Sequence, residues 1–127
     1  MFSLSIFTPL SCDNTWIDDD VILYNLDYIK IGSNCSISRR SFLCTGSHDI
    51  TKETFDLITK PIVVEDSVWI QADCFIAQGV TIGEGSIVGA RKNVFKNVPR
   101  ESKVYLTWIR QVMPKGIEIK GFFVQKN

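Results

Sequence analysis

Residues 64–94 read VEDSVW IQADCF IAQGVT IGEGSI VGARKN V, and every block of six opens with an aliphatic residue. The same period continues upstream through Ile31, Ile37 and Leu43. A period of six fits neither the 3.6-residue period of a helix nor, alone, the two-residue period of a strand. It predicts a chain that coils into a prism, with three short strands per turn and one buried aliphatic residue on each face.

Small residues next to the aliphatic positions support this coil. The residue that follows the aliphatic one is often small, as at Gly32, Gly83 and Gly89. Glycine there leaves room for the neighbouring coil and also permits a positive φ. Three blocks of six make one coil, and coils are predicted to stack at about the strand spacing of 4.8 Å. The residues four positions after the aliphatic are also mostly small or apolar: Cys35, Ser41, Ser47, Val68, Cys74, Val80, Ser86 and Val98.

The 127 residues are interpreted as a single all-β domain. Residues 1–12 form a leader, residues 13–99 form the coils, and residues 100–127 form a C-terminal tail that caps the exposed strand edges. The register breaks over about 49–61, which predicts a protruding loop. Loops of this length on a compact scaffold are commonly functional. Within the tail, residues 108–112 are compatible with a helical turn.

The composition excludes several classes of function. The 14 basic and 14 acidic residues cancel, so the charge favours neither nucleic acid nor an acidic membrane surface as a partner. No apolar run reaches the roughly 18 residues needed to span a bilayer, and no signal peptide is expected, so a cytoplasmic location is the default. The four cysteines lack C-x-x-C spacing and are interpreted as free thiols that act as small apolar side chains.

His48 is the only histidine in the sequence, and it falls directly before the long loop. A histidine where a rigid scaffold meets a loop is well placed for proton transfer, because imidazole accepts a proton near neutral pH. The neighbouring Asp49 could orient the ring or stabilise the imidazolium, although adjacent residues often point apart. The alternative is a surface histidine that happens to end a coil, and spacing alone does not choose between the two.

The repeat, the segment 43–49 and the loop together give the chain a resemblance to a known family. It resembles the hexapeptide-repeat O-acetyltransferases, above all the branch associated with colanic acid and other exopolysaccharide synthesis, and more distantly the maltose and galactoside acetyltransferases. The resemblance covers roughly residues 16–98. It implies a left-handed parallel β-helix, a homotrimer with active sites between subunits, and acetyl-CoA as the donor without a metal. Its most specific pieces are Tyr24-Asn25-Leu26, residues 43–49, residues 55–59 before Pro61-Ile62, Val68-Trp69-Ile70 and residues 79–83.

The resemblance also assigns roles to individual residues. The family's catalytic histidine falls on His48, which would deprotonate a sugar hydroxyl for direct attack on the thioester of acetyl-CoA. Asn25 and Asp27 match the acceptor pocket, with Asp49 added as a further substrate-binding residue. Trp69 would line a channel shared by acceptor and pantetheine. The other cofactor contacts implied are the small residues Ala72 and Ala90 beside the pantetheine arm and Lys96 near the nucleotide phosphates.

These assignments have structural alternatives, and the sequence departs from the family in places. Asn25 could be a hydrogen-bonded turn residue, and Trp69 a packing residue under the loop. Residues 91–93 stand where the family has a small residue, so Lys92 either crowds the coil or adds a phosphate contact. The family's terminal Gly-Asn-Pro-Ala-Lys stretch is replaced, with residues 113–115 at best a displaced remnant.

Three functions remain open at this point. The first is an acetyl-CoA-dependent O-acetyltransferase acting on a sugar or sugar-lipid acceptor. The second is an N-acetyltransferase of an amino sugar or antibiotic, which nothing in the sequence separates from the first. The third is a truncated non-catalytic subunit, which the altered tail favours and the intact His48 segment opposes. A zinc enzyme of the carbonic anhydrase type is not expected, since its sites need three histidines at each subunit interface.

Overall fold

The computed structural model describes residues 13–104 and 124–126. These residues wind as a left-handed parallel β-helix, which confirms the predicted fold. The predicted leader and the predicted helical turn at 108–112 lie outside the described residues. Within the described ranges the chain forms strands and turns only, and no helix there is long and apolar enough to cross a membrane.

Three sheets form the faces of the prism, and each turn of the chain visits them in the same order. The strands are β1 (Trp16–Ile17), β2 (Ile22–Tyr24), β3 (Ile29–Ile31), β4 (Ser36–Ile37), β5 (Phe42–Cys44), β6 (Gly46–His48), β7 (Leu57–Thr59), β8 (Ile62–Val64), β9 (Trp69–Ile70), β10 (Phe75–Ile76), β11 (Thr81–Ile82), β12 (Ile87–Val88), β13 (Asn93–Val94), β14 (Ser102–Val104) and β15 (Val124–Lys126). Sheet A has the order β1-β4-β9-β12-β14-β15, sheet B β2-β5-β10-β13 and sheet C β3-β8-β11. Coil 1 begins with β1, coil 2 with β4, coil 3 with β9 and coil 4 with β12.

The aliphatic residue of each block points into the prism and is buried. In sheet B the parallel register places Leu23, Leu43, Ile76 and Val94 next to one another in a column. None of the four is more than 5% exposed. Each coil therefore buries its aliphatic side chains against its neighbours, so stability accumulates as coils stack.

The glycines that follow the aliphatic residues are required by space. A Cβ on Gly83 would lie 2.5 Å from the amide nitrogen of Arg100, and one on Gly89 would lie 2.8 Å from the carbonyl oxygen of Val104. The prediction that bulk would collide with the next coil is confirmed. Positive φ is not the reason for these glycines, because the left-handed residue of most corners comes two positions later. That position is held mostly by other residues, including Asn34, Arg40, Ser67, Asp73 and Arg91.

The excursion from coil 2 is an antiparallel hairpin. β6 pairs with β7, from Gly46 opposite Thr59 to His48 opposite Leu57. The chain thus leaves the coil at Gly46, earlier than the spacing predicts. Ser47, predicted at a buried corner, is consequently exposed, and the buried residue before the hairpin is Thr45. His48 therefore lies on the hairpin and not at the end of a coil.

The last described strand, β15, lies at the edge of sheet A. The backbone of β15 pairs antiparallel with β14, so that Lys126 lies opposite Ser102 and Val124 opposite Val104. Because an unpaired edge strand invites pairing with another chain, this contact serves as a cap on sheet A.

The three described cysteines differ in accessibility. Cys35 and Cys74 are 3% and 1% exposed at corner positions, whereas Cys44 is half-buried. Burial raises the pKa of the Cys74 thiol above its ordinary value, and the thiolate is the reactive form.

We expect iodoacetamide to alkylate Cys44 of the folded protein well before Cys35 or Cys74, as followed by peptide mass spectrometry. Equal rates for the three thiols in folded protein would contradict this packing.

Candidate functional site

His48 is held in a defined orientation by one residue of the same hairpin. Its imidazole stacks on the ring of Phe55, with the ring centroids 4.3 Å apart and the planes inclined by 5°. Nδ1 of His48 lies 3.0 Å from the backbone carbonyl oxygen of Phe55. A carbonyl oxygen only accepts, so Nδ1 donates, and in the neutral ring Nε2 keeps its lone pair. The exposed imidazole can therefore accept a proton through Nε2.

Phe55 owes this position to the conformation of the hairpin turn. Its φ is 51°, in a region that non-glycine residues seldom adopt. The backbone amide of Phe55 donates to the carbonyl oxygen of Lys52 at 3.0 Å. The backbone amide of Asp49 donates to the carbonyl oxygen of Asp56 at 2.8 Å. Sequence reasoning did not identify Phe55 as a site residue. Every residue has a backbone carbonyl, and the positive φ of Phe55 is not indicated by any feature of the sequence.

Asp49 is engaged within the turn. Its Oδ1 accepts hydrogen bonds from the hydroxyl of Thr51 at 2.5 Å and from the backbone amide of Thr51 at 2.9 Å. These hydrogen bonds hold the pKa of the Asp49 carboxyl below its ordinary value. The orienting contact anticipated for Asp49 is therefore supplied by Phe55, because the carboxylate is occupied by Thr51. A role for Asp49 in substrate binding stays a prediction.

Asn25 and Asp27, the predicted acceptor-pocket residues, lie at the foot of the hairpin. The amide of Asp27 donates to Oγ1 of buried Thr45 at 3.0 Å, and Oδ2 of Asp27 lies 3.4 Å from the hydroxyl of Thr59 on β7. Asn25 is half-buried two residues earlier in the same connection. The structure thus places both residues beside the element that carries His48.

The residues predicted to bind the cofactor lie on another part of the prism, with the exception of Lys96. Trp69 projects from sheet A with 45% of its surface exposed, and its Nε1 donates to Oγ of Ser38 at 3.2 Å. Ala72 and Ala90 follow at the corner between sheets A and B, one coil apart, where the amide of Arg91 donates to the carbonyl oxygen of Ala72 at 2.8 Å. A ligand lying along this corner would meet methyl and backbone groups at both alanines.

The candidate residues therefore form two groups on one chain. Lys96 is exposed on coil 4 at the corner between sheets B and C, the corner from which the hairpin leaves coil 2. Among residues 13–104 and 124–126, no group of three or more His, Cys, Asp or Glu side chains could hold a metal ion. The hairpin corner carries Asn25, Asp27, His48, Asp49 and Lys96, whereas sheet A and its corner with sheet B carry Trp69, Ala72 and Ala90.

Lys92 fits into the coil despite its size. The residue is 7% exposed, and its carbonyl oxygen accepts from the amide of Phe75 at 2.8 Å, as regular stacking requires. Burial lowers the pKa of the Lys92 ammonium group below its ordinary value. In the described part of the chain β13 is the last strand of sheet B.

Known proteins share both the repeat and the fold. Residues 61–95 match the family model described as bacterial transferase hexapeptide (six repeats). The putative colanic acid biosynthesis acetyltransferase WcaF of Escherichia coli is 49% identical over 87 residues, which are 68% of this chain and 48% of that protein. This chain thus spans about half the length of that curated relative.

Solved structures agree with this match. A hexapeptide-repeat-containing acetyltransferase from Vibrio cholerae superposes with a TM-score of 0.73 at 35% identity, over 77% of this chain and 57% of that chain. Its complex with acetyl coenzyme A superposes with a TM-score of 0.64 at 32% identity, over 82% of this chain and 64% of that chain.

Proposed function

The chain belongs to the hexapeptide-repeat acyltransferase family, and on that premise we propose that it is an acetyl-CoA-dependent O-acetyltransferase acting on a sugar or sugar-lipid acceptor. The observation that carries the proposal is the hydrogen bond between Nδ1 of His48 and the carbonyl of Phe55. It leaves Nε2 as the proton acceptor on an exposed ring, which is what general base catalysis of hydroxyl attack requires.

Each step of the reaction uses His48. Nε2 removes the proton from an acceptor hydroxyl as that oxygen attacks the carbonyl carbon of the thioester. The tetrahedral intermediate then collapses, the carbon–sulfur bond breaks, and the imidazolium returns the proton to the departing CoA sulfur. The carbonyl of Phe55 stabilises the imidazolium by accepting from Nδ1. No acyl-enzyme forms, so the thiol of Cys44 takes no part.

The separation of the two residue groups supports a homotrimer in which each site is completed by two copies of the chain. The hairpin of one subunit reaches the sheet A corner of the next and brings His48 to Trp69 and Ala72. The hairpin suits this role because Ile50, Leu57 and Ile58 are 84%, 55% and 37% exposed in the single chain. Apolar groups gathered on a projecting element favour burial at an interface.

The test of the function is release of free CoA from acetyl-CoA with a panel of sugars, with the acetylated product identified by mass spectrometry. Sugar-dependent release with an O-acetyl product supports the proposal. Release with amino sugars alone would replace it by N-acetylation. If no sugar supports release and calorimetry detects no acetyl-CoA binding to the trimer, the enzyme proposal fails in favour of a non-catalytic subunit.

A prediction for Phe55 concerns how the base is held. Phe55→Gly removes the ring but tolerates the positive φ, whereas Phe55→Ala removes the ring and strains the turn. We expect Phe55→Gly to lower kcat about 2- to 10-fold, since a stacked ring pair contributes about 0.5–1.5 kcal/mol. Phe55→Ala should lower kcat further than Phe55→Gly does. The KM for acetyl-CoA should stay nearly constant in both variants.

Glu53→Ala is the matched control, because Glu53 lies in the same hairpin turn and its side chain is exposed. The kcat and the KM for acetyl-CoA of the three variants are compared by steady-state kinetics. A Phe55→Gly enzyme with the wild-type kcat would show that the ring has no positioning role.

A further inference from the structure

Sheet A presents a second exposed tryptophan in line with Trp69. Trp16 on β1 is 65% exposed. The parallel register pairs Trp16 with Ser36, and Ser36 with Trp69. Both indoles therefore project from the same face of the sheet, from backbone positions that are two strand spacings or about 10 Å apart. Only the small side chain of Ser36 lies between them in that column.

The position of Trp16 along the prism axis places it on the side that the proposed cofactor path leaves free. Ala72 and Ala90 belong to coils 3 and 4, so the proposed path of the pantetheine arm runs from Trp69 towards the later coils. Trp16 belongs to coil 1, on the opposite side of Trp69. An acceptor that reaches a thioester beside Trp69 from the free side must pass over coils 1 and 2.

The chemistry of this face suits a carbohydrate. A pyranose ring has C–H faces that pack on an indole plane and a rim of hydroxyl groups that require polar partners. The indole of Trp69 is fixed by its hydrogen bond to Ser38. At the adjoining corner, the guanidinium of Arg39 lies 3.7 Å from the carboxylate of Asp18. Aromatic planes alternating with hydroxyl and charged groups match a sugar better than an apolar protein surface.

We propose that Trp16 and Trp69 form an acceptor platform that binds linked sugar rings, so that the substrate is an oligosaccharide or glycan chain. The proposal rests on the proposed function and deepens it. A single pyranose ring is too short to contact two indoles about 10 Å apart, whereas linked rings can contact both. Trp16 is thus a substrate-binding residue that selects acceptors by their length.

The test compares acceptors of increasing length. The probes are galactose and glucose, each with its linear di- and tetrasaccharide, and the enzymes are the wild type, Trp16→Ala and Trp16→Phe. We expect kcat/KM of the wild type to rise with chain length. Trp16→Ala should lower kcat/KM for the tetrasaccharide about 10-fold and leave that for the monosaccharide nearly unchanged. Trp16→Phe should recover most of the loss, because it keeps an aromatic plane.

Ile22→Ala is the matched control, since Ile22 is an exposed apolar residue of the same coil on sheet B. Its length dependence should equal that of the wild type. An equal loss for mono- and tetrasaccharides in Trp16→Ala, or a wild type without length dependence, would overturn the platform.

Calorimetric binding of the tetrasaccharides separates this proposal from the proposed function. If no sugar supports turnover and acetyl-CoA does not bind, the acetyltransferase proposal fails, but tetrasaccharide binding that is lost in Trp16→Ala still supports the platform. Tetrasaccharides that bind neither form, or bind both forms equally, overturn the platform even if the enzyme is active.

Discussion

His48→Ala should lower sugar-dependent CoA release by about 10²–10⁴-fold, which is the usual contribution of a general base. The loss should appear in kcat, with the KM for acetyl-CoA nearly unchanged, because the ring acts on the acceptor proton. The side chain is exposed and stacks only on the ring of Phe55 among the ring contacts described. The free energy of unfolding should therefore fall by no more than about 2 kcal/mol, the usual contribution of one stacked ring pair and one hydrogen bond. Initial rates and thermal unfolding of the same preparation measure both quantities.

Ser47→Ala provides the matched control for His48→Ala. Ser47 is the exposed neighbour on β6, and its side chain points to the opposite face of the strand. This variant should keep wild-type rates. Near wild-type activity in His48→Ala would remove His48 from the mechanism, while equal losses in the two variants would indicate a damaged hairpin.

The coil was predictable because each inward position must be filled by one aliphatic side chain. The six-residue period of that requirement is visible in Ile70, Ile76 and Ile82 without any structure. The start of the hairpin was not predictable in the same way. Gly46 and Ser47 look like small corner residues, and only the pairing of β6 with β7 shows that the chain has left the coil.

The site was predictable where it depends on a rare side chain and hidden where it depends on backbone. His48 stands out because it is the only histidine in the sequence. The carbonyl that orients the imidazole belongs to Phe55, and no side-chain pattern predicts the left-handed conformation of that residue. Trp16 was missed for another reason. Its alignment with Trp69 depends on the register of β1, β4 and β9, which the sequence gives only after the coils are placed.

A large loss of stability is expected from Ile76→Ala. Ile76 is fully buried on β10, with Leu43 on one side of the column and Val94 on the other. Removing most of its side chain leaves a cavity that the adjacent coils cannot close, because parallel ladders fix their spacing. We expect the free energy of unfolding to fall by about 2–5 kcal/mol, measured by urea denaturation. Glu53→Ala, at an exposed position of the hairpin turn, should change it by less than about 0.5 kcal/mol.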